Sequence, residues 1–188
     1  MTKKTKNIVG IGLFTAIVVV LQLLGGGIRF GIFAISLVLV PIVVGAAVYG
    51  WQAGLLLGFS FGVTVLLSGD AAAFLAVDPL ATVLVVLVKG AMCGLAAALV
   101  YKILEKAGKF IAVIGAAIIC PTVNTGIFLL GCQFFFMETI EEWAALYGYA
   151  DAGSYMIFGL AGINFLIELG TNILLAPMIT RLIGIGKK

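Results

Sequence analysis

The sequence predicts an all-α membrane protein: a compact bundle of about six transmembrane helices with both termini in the cytoplasm. Three observations carry that expectation. Of 188 residues, 63% are hydrophobic and only 10% are charged, whereas a soluble domain carries roughly 25% charged residues. The apolar runs are long and unbroken rather than alternating in segments of about ten, which favours helices over a β-barrel. Finally, Lys3, Lys4, Lys6, Lys102, Lys106, Lys109, Arg181, Lys187 and Lys188 all fall on one side of a six-span arrangement. The other side holds Arg29 with Asp70, Asp78, Glu138, Glu141, Glu142 and Asp151, and an excess of Lys and Arg marks the cytoplasmic face. At about 20 residues per span plus short links, residues 1–188 form one membrane domain with no room for a soluble one.

The first helix is expected over about Asn7 to Leu24. Its apolar run exceeds the h-region of about 7–15 residues in a signal peptide, and no clean A-x-A site follows, so it reads as retained. Gly12 and Ala16 make a small-xxx-small step in it, which lets another helix come close. Gly25-Gly26-Gly27-Ile28-Arg29 then forms a loop with permissive backbone. A second helix is expected from about Gly31 to Tyr49, with Pro41 inside it predicting a kink or break.

A tight connection at Tyr49-Gly50-Trp51 leads to a third helix ending near Ser68. Gly50, Gly54, Gly58 and Gly62 recur every four residues and leave one of its faces as bare backbone, read as bundle architecture. A loop with Asp70 and Asp78 follows. Pro79 opens a fourth helix in the first-turn position that Pro favours, and the helix runs to about Leu104. It holds Lys89 about 14 Å deep at 1.5 Å per residue, with Gly90 and Gly94 repeating the small-residue spacing.

A fifth helix is expected from about Phe110 to Phe136, with Pro121 mid-span leaving a carbonyl near Ala117 without its usual donor. The acids and aromatics of Met137 to Ser154 read as a short helix on the membrane surface. The sixth helix occupies the apolar run from Met156 to Ile183 and carries Asn164, Glu168 and Asn172 at i, i+4 and i+8, on one side. Cys93, Cys120 and Cys132 all fall in apolar runs and read as packing residues; with no His in the chain, a Cys/His metal site is excluded.

A carboxylate, an ammonium and several amides at membrane depth are costly unless they face protein, water or a ligand. Lys89, Asn124, Asn164 and Glu168, with Thr125 nearby, fall between the midplane and the outer half of the bilayer, where three helices can bring them into one cavity open to the outside. Asn172 lies nearer the cytoplasmic end. Such a set suits a small polar solute: Lys89 for an anionic group, the amides for hydroxyls and amides, Glu168 for a donor. Phe30, Phe33, Phe128 and Trp143 are candidates to cover it. The alternative is that Lys89 and Glu168 pair with each other and the amides tie helices together. Catalysis finds little support: there is no His, no HExxH and no Walker A motif.

With these residues in view, the chain resembles a substrate-binding (S) component of an energy-coupling factor (ECF) vitamin transporter. The resemblance runs through Gly12 to Ala16, the stretch Ser36-Leu37-Val38-Leu39-Val40-Pro41, Gly45 to Gly50, the Gly54-to-Gly62 ladder, Lys89-Gly90, Pro121-Thr122-Val123-Asn124-Thr125 and the helix with Asn164 to Asn172. It implies high-affinity capture of a water-soluble vitamin from outside a prokaryotic plasma membrane, with no ATPase site or cofactor of its own. It also implies a transmembrane coupling subunit and two ATP-binding cassette subunits as partners within the lipid bilayer, and no nucleic acid. The family's docking motif is Ala-xxx-Ala in the first helix; here Gly12 stands at the first position and Ala16 at the second. Lys89 among amides is similar to a site for a carboxylate-bearing vitamin such as pantothenate, with riboflavin the close competitor. Two other classes stay open on the residues alone: a stand-alone ion- or proton-coupled carrier using Glu168, and a structural assembly factor whose polar cluster is internally satisfied.

Overall fold

The computed structural model describes residues 2–25, 29–30, 33–34 and 37–186. Among them, five helical spans are long and apolar enough to cross a membrane: Lys4–Gly25, Trp51–Ser68, Pro79–Leu104, Lys109–Phe135 and Ala152–Leu174, joined by a shorter apolar helix, Leu39–Tyr49. The protein is an all-α membrane bundle, as its composition predicts.

Helix α1, Lys3–Gly25, lies on the bundle's outside. Its Gly10, Phe14, Val18 and Gln22 face inward at i, i+4 spacing, while Ile8, Leu13, Val20 and Leu24 are exposed. A Cβ at Gly10 would collide with the Tyr49 ring, and Phe14 packs edge-on against the same ring at 6.1 Å. Gly26 to Ile28 of the expected loop, and Lys187 and Lys188, lie outside the described residues. Beyond them, β1 (Arg29–Phe30) and β2 (Phe33–Ala34) pair antiparallel, with Arg29 opposite Ala34 and Phe30 opposite Phe33.

The second helix is shorter than its apolar run led us to expect. Phe33–Ala34 is strand, Gly31, Ile32, Ile35 and Ser36 lie outside the described residues, and α2 covers only Leu39–Tyr49. That is about 16 Å, roughly half the hydrocarbon thickness. Pro41 therefore does not kink a long helix. It is the third residue of α2, where a backbone N–H would have no intrahelical acceptor to lose. Every residue from Leu39 to Ala47 is buried, so an all-apolar helix is here an internal one, enclosed by its neighbours.

Gly50, at φ 86°, makes the left-handed turn into α3, Trp51–Ser68. The glycine ladder does the structural work expected of it. A Cβ at Gly54 would strike the carbonyl oxygen of Gly94, and one at Gly58 that of Gly90. One at Gly62 would sit 2.8 Å from the carbonyl of Val86. Helix α3 thus lies backbone to backbone on α5, Pro79–Leu104.

The expected loop between them contains a short helix, α4, Ala72–Val77. Asp78 caps α5 by accepting a hydrogen bond from the Ala81 N–H at 3.0 Å, and Pro79 is the first helical residue, as expected. Helix α6, Lys109–Phe135, packs along α5 with Pro121 buried in its interior. Cys93, Cys120 and Cys132 are buried and free, and Cys93 Sγ donates to the Gly90 carbonyl at 3.1 Å.

The surface segment is two helices rather than one: α7, Met137–Leu146, and α8, Ala152–Ser154, separated by a turn with Gly148 at φ 75°. Asp151 caps α8; the Ser154 backbone N–H, then its hydroxyl, hold the exposed carboxyl below the usual carboxylate range. The sixth helix is likewise divided. A π-helical segment, Tyr155–Gly162, leads into α9, Ile163–Leu174, and α10 follows over Ala176–Gly186. The break at Leu175 precedes Pro177, whose ring and missing N–H prevent an unbroken ladder from crossing the junction.

Candidate functional site

A cavity of about 490 Å³ opens among α1, the turn before α4, α5, α6 and α9. Its size falls within the range of roughly 300–1,000 Å³ common to small-molecule sites. Lys89 of α5, Asn124 and Thr125 of α6, and Asn164 and Glu168 of α9 all line it. Counted at 1.5 Å per residue, Lys89 is about 15 Å along α5 from Pro79, and Asn124 about 17 Å along α6 from Phe135. Both are close to the middle of a hydrocarbon layer about 30 Å thick.

Proline and glycine shape this floor. Pro121 sits one turn before Asn124, and Gly90 follows Lys89 on the seam with α3, so the lysine is carried by a helix fixed against its neighbour. The π-helical segment places Leu160 and Ala161 in the wall just before Asn164. Two elements of the chain's most irregular span therefore contribute to one surface.

The Lys89 ammonium lies 5.1 Å from the centroid of the Phe128 ring, a cation–π distance. Among the described residues, no hydrogen bond or ion pair engages the side chain of Lys89 or Glu168. Asn124 and Asn164 each carry a buried Oδ1 without a donor. An unpaired buried acceptor costs about 1–3 kcal/mol, which a hydrogen-bond donor brought by a solute or by water would offset. Lys89, Asn124, Asn164, Glu168 and Thr125 thus present three ammonium protons, two amides, a carboxylate and a hydroxyl to the cavity.

The rest of the wall is aromatic. Phe74 of α4 is the hub of an edge-to-face cluster with Phe128 at 5.5 Å, Phe136 at 5.1 Å and Trp143 at 5.2 Å. Phe74, Phe128 and Phe136 line the cavity, whereas Trp143 backs the cluster from behind. The side chains of Phe30 and Phe33 lie outside the described residues. Asn172 is not in the cavity: it is buried and donates its Nδ2 to the Glu168 carbonyl at 2.9 Å.

Sequence reasoning singled out neither Gln22 nor Thr82, nor did it place Asp70 in a site, yet all three line the cavity. A lone carboxamide in the apolar run of α1 was the available signal for Gln22. Gly12 and Ala16 are exposed on the outer face of α1, and nothing lies within 4 Å of a Cβ built at Gly12.

Fold and cavity together define an all-α membrane bundle with a polar-lined cavity of small-molecule size. A family profile described as the ECF transporter, substrate-specific component, matches residues 6–180, and the chain belongs to that family. Comparison with curated proteins and with solved structures returns no match. Members of this family are multi-pass membrane subunits with a small-molecule substrate; they work with a transmembrane coupling subunit and with ATPase subunits that hydrolyse ATP.

Proposed function

We propose that this chain captures a carboxylate-bearing, water-soluble vitamin of the pantothenate kind from outside the cell and delivers it as the substrate-specific subunit of an ATP-driven ECF transporter. The observation that carries the reading is the set of uncommitted polar groups in one cavity: Lys89 and Glu168 without a hydrogen-bonded partner among the described residues, and Asn124 and Asn164 each with an orphaned oxygen. Lys89 takes the carboxylate, and the two amides with Thr125 take the amide and hydroxyl groups. Glu168 accepts from a donor group of the ligand. Riboflavin is the second reading, favoured by the ring cluster of Phe74, Phe128 and Phe136, which offers a flat ligand an aromatic wall.

On this reading the positive-inside distribution puts both termini in the cytoplasm and opens the cavity outward, and family membership supports a prokaryotic plasma membrane. The exposed step of Gly12 and Ala16 docks the coupling subunit, and two ATP-binding cassette subunits supply the energy.

Mass spectrometry of ligand released from purified protein tests the reading, with binding of pantothenate and riboflavin measured by calorimetry. Lys89→Met is expected to weaken pantothenate binding about ten- to hundredfold, the loss of a charge-assisted hydrogen bond worth about 1.5–3 kcal/mol. No released vitamin, no binding from a vitamin panel, and no effect of Lys89→Met together with Glu168→Gln would end it.

A further inference from the structure

The cavity sets any anionic solute a problem of charge. Lys89 of α5 and Glu168 of α9 line the same space, and among the described residues neither side chain has a hydrogen bond or an ion pair. An ammonium and a carboxylate together sum to zero. An anion drawn onto Lys89 uses up the positive charge and leaves the Glu168 carboxylate uncompensated near mid-bilayer, where a bare charge is costly.

A shortage of hydrogen-bond donors points the same way. Asn164 precedes Glu168 by four residues, so the two stand one turn apart on one side of α9. The buried Oδ1 of Asn164 has no donor, and neither has that of Asn124 of α6 in the same lining. As an ion, Glu168 only adds acceptors. As the acid it has an O–H for one of these oxygens and still keeps an acceptor for the ligand.

We propose that an anionic vitamin enters this cavity together with one proton from the external water, which Glu168 holds as a carboxylic acid while Lys89 holds the vitamin's carboxylate. This rests on the proposed capture of a carboxylate-bearing vitamin and deepens it: in net charge, the substrate is taken as its neutral acid. The complex carries one proton more than the empty site and the free anion, so lowering the pH tightens binding and raising it weakens binding. The dependence is at most about tenfold in Kd per pH unit, and it levels off at low pH once Glu168 of the empty site is already protonated.

The other titratable groups around Glu168 are few. Lys89, Cys132 of α6 and Asp70 share the lining with it. Among the elements packed on α9, α6 also carries Lys109 in its first turn and Cys120 in the core. The π-helical segment carries Tyr155, stacked on Tyr147, and α2 carries Tyr49, set against Phe14. Helix α10 carries the exposed Arg181, and β2, Phe33–Ala34, has no such group. Thiols and phenols ordinarily titrate above about pH 8. Asp70 is exposed and already accepts from Gln22.

Calorimetry of purified protein in lipid nanodiscs, repeated in buffers of different ionisation enthalpy, counts the protons taken up with each ligand. From about pH 5.5 to 7.5 free pantothenate is ionised, since carboxyls ordinarily titrate near 4. Pantothenate is expected to bring close to one proton, and pantothenol, with a neutral alcohol in place of the carboxylate, close to none. The wild-type Kd for pantothenate should rise at least about tenfold across that window. Glu168→Gln, an isostere of the acid, should bind pantothenate at the upper end of the window at least as tightly as the wild type, with the rise flattened to within about threefold. The wild-type proton count needs no variant, so it decides the matter even where Glu168→Gln fails to fold. Pantothenate bound without proton uptake, or uptake unchanged in Glu168→Gln, overturns this inference and leaves vitamin capture standing. A wild type that binds riboflavin and not pantothenate does the same. A wild type that binds no vitamin overturns both.

Discussion

Asn124, Asn164 and Asn172 share one defect, a buried side-chain oxygen without a donor, but only the first two line the cavity. Under the proposed function, that difference separates a ligand role from a packing role. Asn172→Leu removes an unpaired acceptor and one bond to the Glu168 carbonyl, so stability in detergent should stay level or rise, and vitamin affinity should stay within about twofold. Asn124→Leu and Asn164→Leu should cut affinity by about tenfold or more with thermal stability held, read by calorimetry beside a melting curve. The five polar residues named from sequence stood out because lipid makes hydrophilic side chains conspicuous. Gln22 and Thr82 stood out less: a single carboxamide and a single hydroxyl in apolar helices are each small departures. Gln22 meets Asp70 through a turn at Gly69 that hydropathy does not encode.

Among the elements, helix extents followed from apolar runs where a change of chemistry closed the run. The third, fourth and fifth helices end within a residue or two of expectation because Ser68, Pro79 and Lys109 mark real changes of chemistry. The second helix did not, because a buried segment of any conformation reads as apolar; length alone could not separate the Phe33–Ala34 strand from the helix that begins at Leu39. Nor could periodicity announce the π-helical turns at Tyr155–Gly162, since an all-apolar run has no face to mark the extra residue. Two substitutions test opposite uses of glycine. Gly58→Ile forces a branched side chain into the Gly90 carbonyl and should cost at least about 1–3 kcal/mol, seen as a lower melting temperature or loss of monodisperse protein. A Cβ at Gly12 meets nothing within 4 Å and the position is exposed, so with Gly12→Leu folding and vitamin binding should persist. Co-purification with the coupling subunit should fall if the α1 step is the docking face. Unchanged co-purification would move docking elsewhere.

For the whole molecule, orientation in the membrane is the property on which outward capture depends. Lys106 and Glu142 are exposed on opposite sides of the expected topology, and the three native cysteines are buried and give little background. Lys106→Cys should react with a membrane-impermeant maleimide only after the cytoplasmic side is opened, and Glu142→Cys in intact cells; the reverse pattern would put the cavity mouth inside. Purified chain in liposomes should bind vitamin yet show no uptake without its coupling and ATPase partners, whereas uptake by the chain alone would favour a self-sufficient carrier. The glycine seam also limits how this molecule can deform. With Gly54 and Gly58 lodged against the carbonyls of Gly94 and Gly90, neither strut can slip lengthwise past the other without riding over backbone oxygens. Under the proposed function, any change in cavity volume during transport falls to the parts hung on that beam, α1 and the broken span at Tyr155–Leu174.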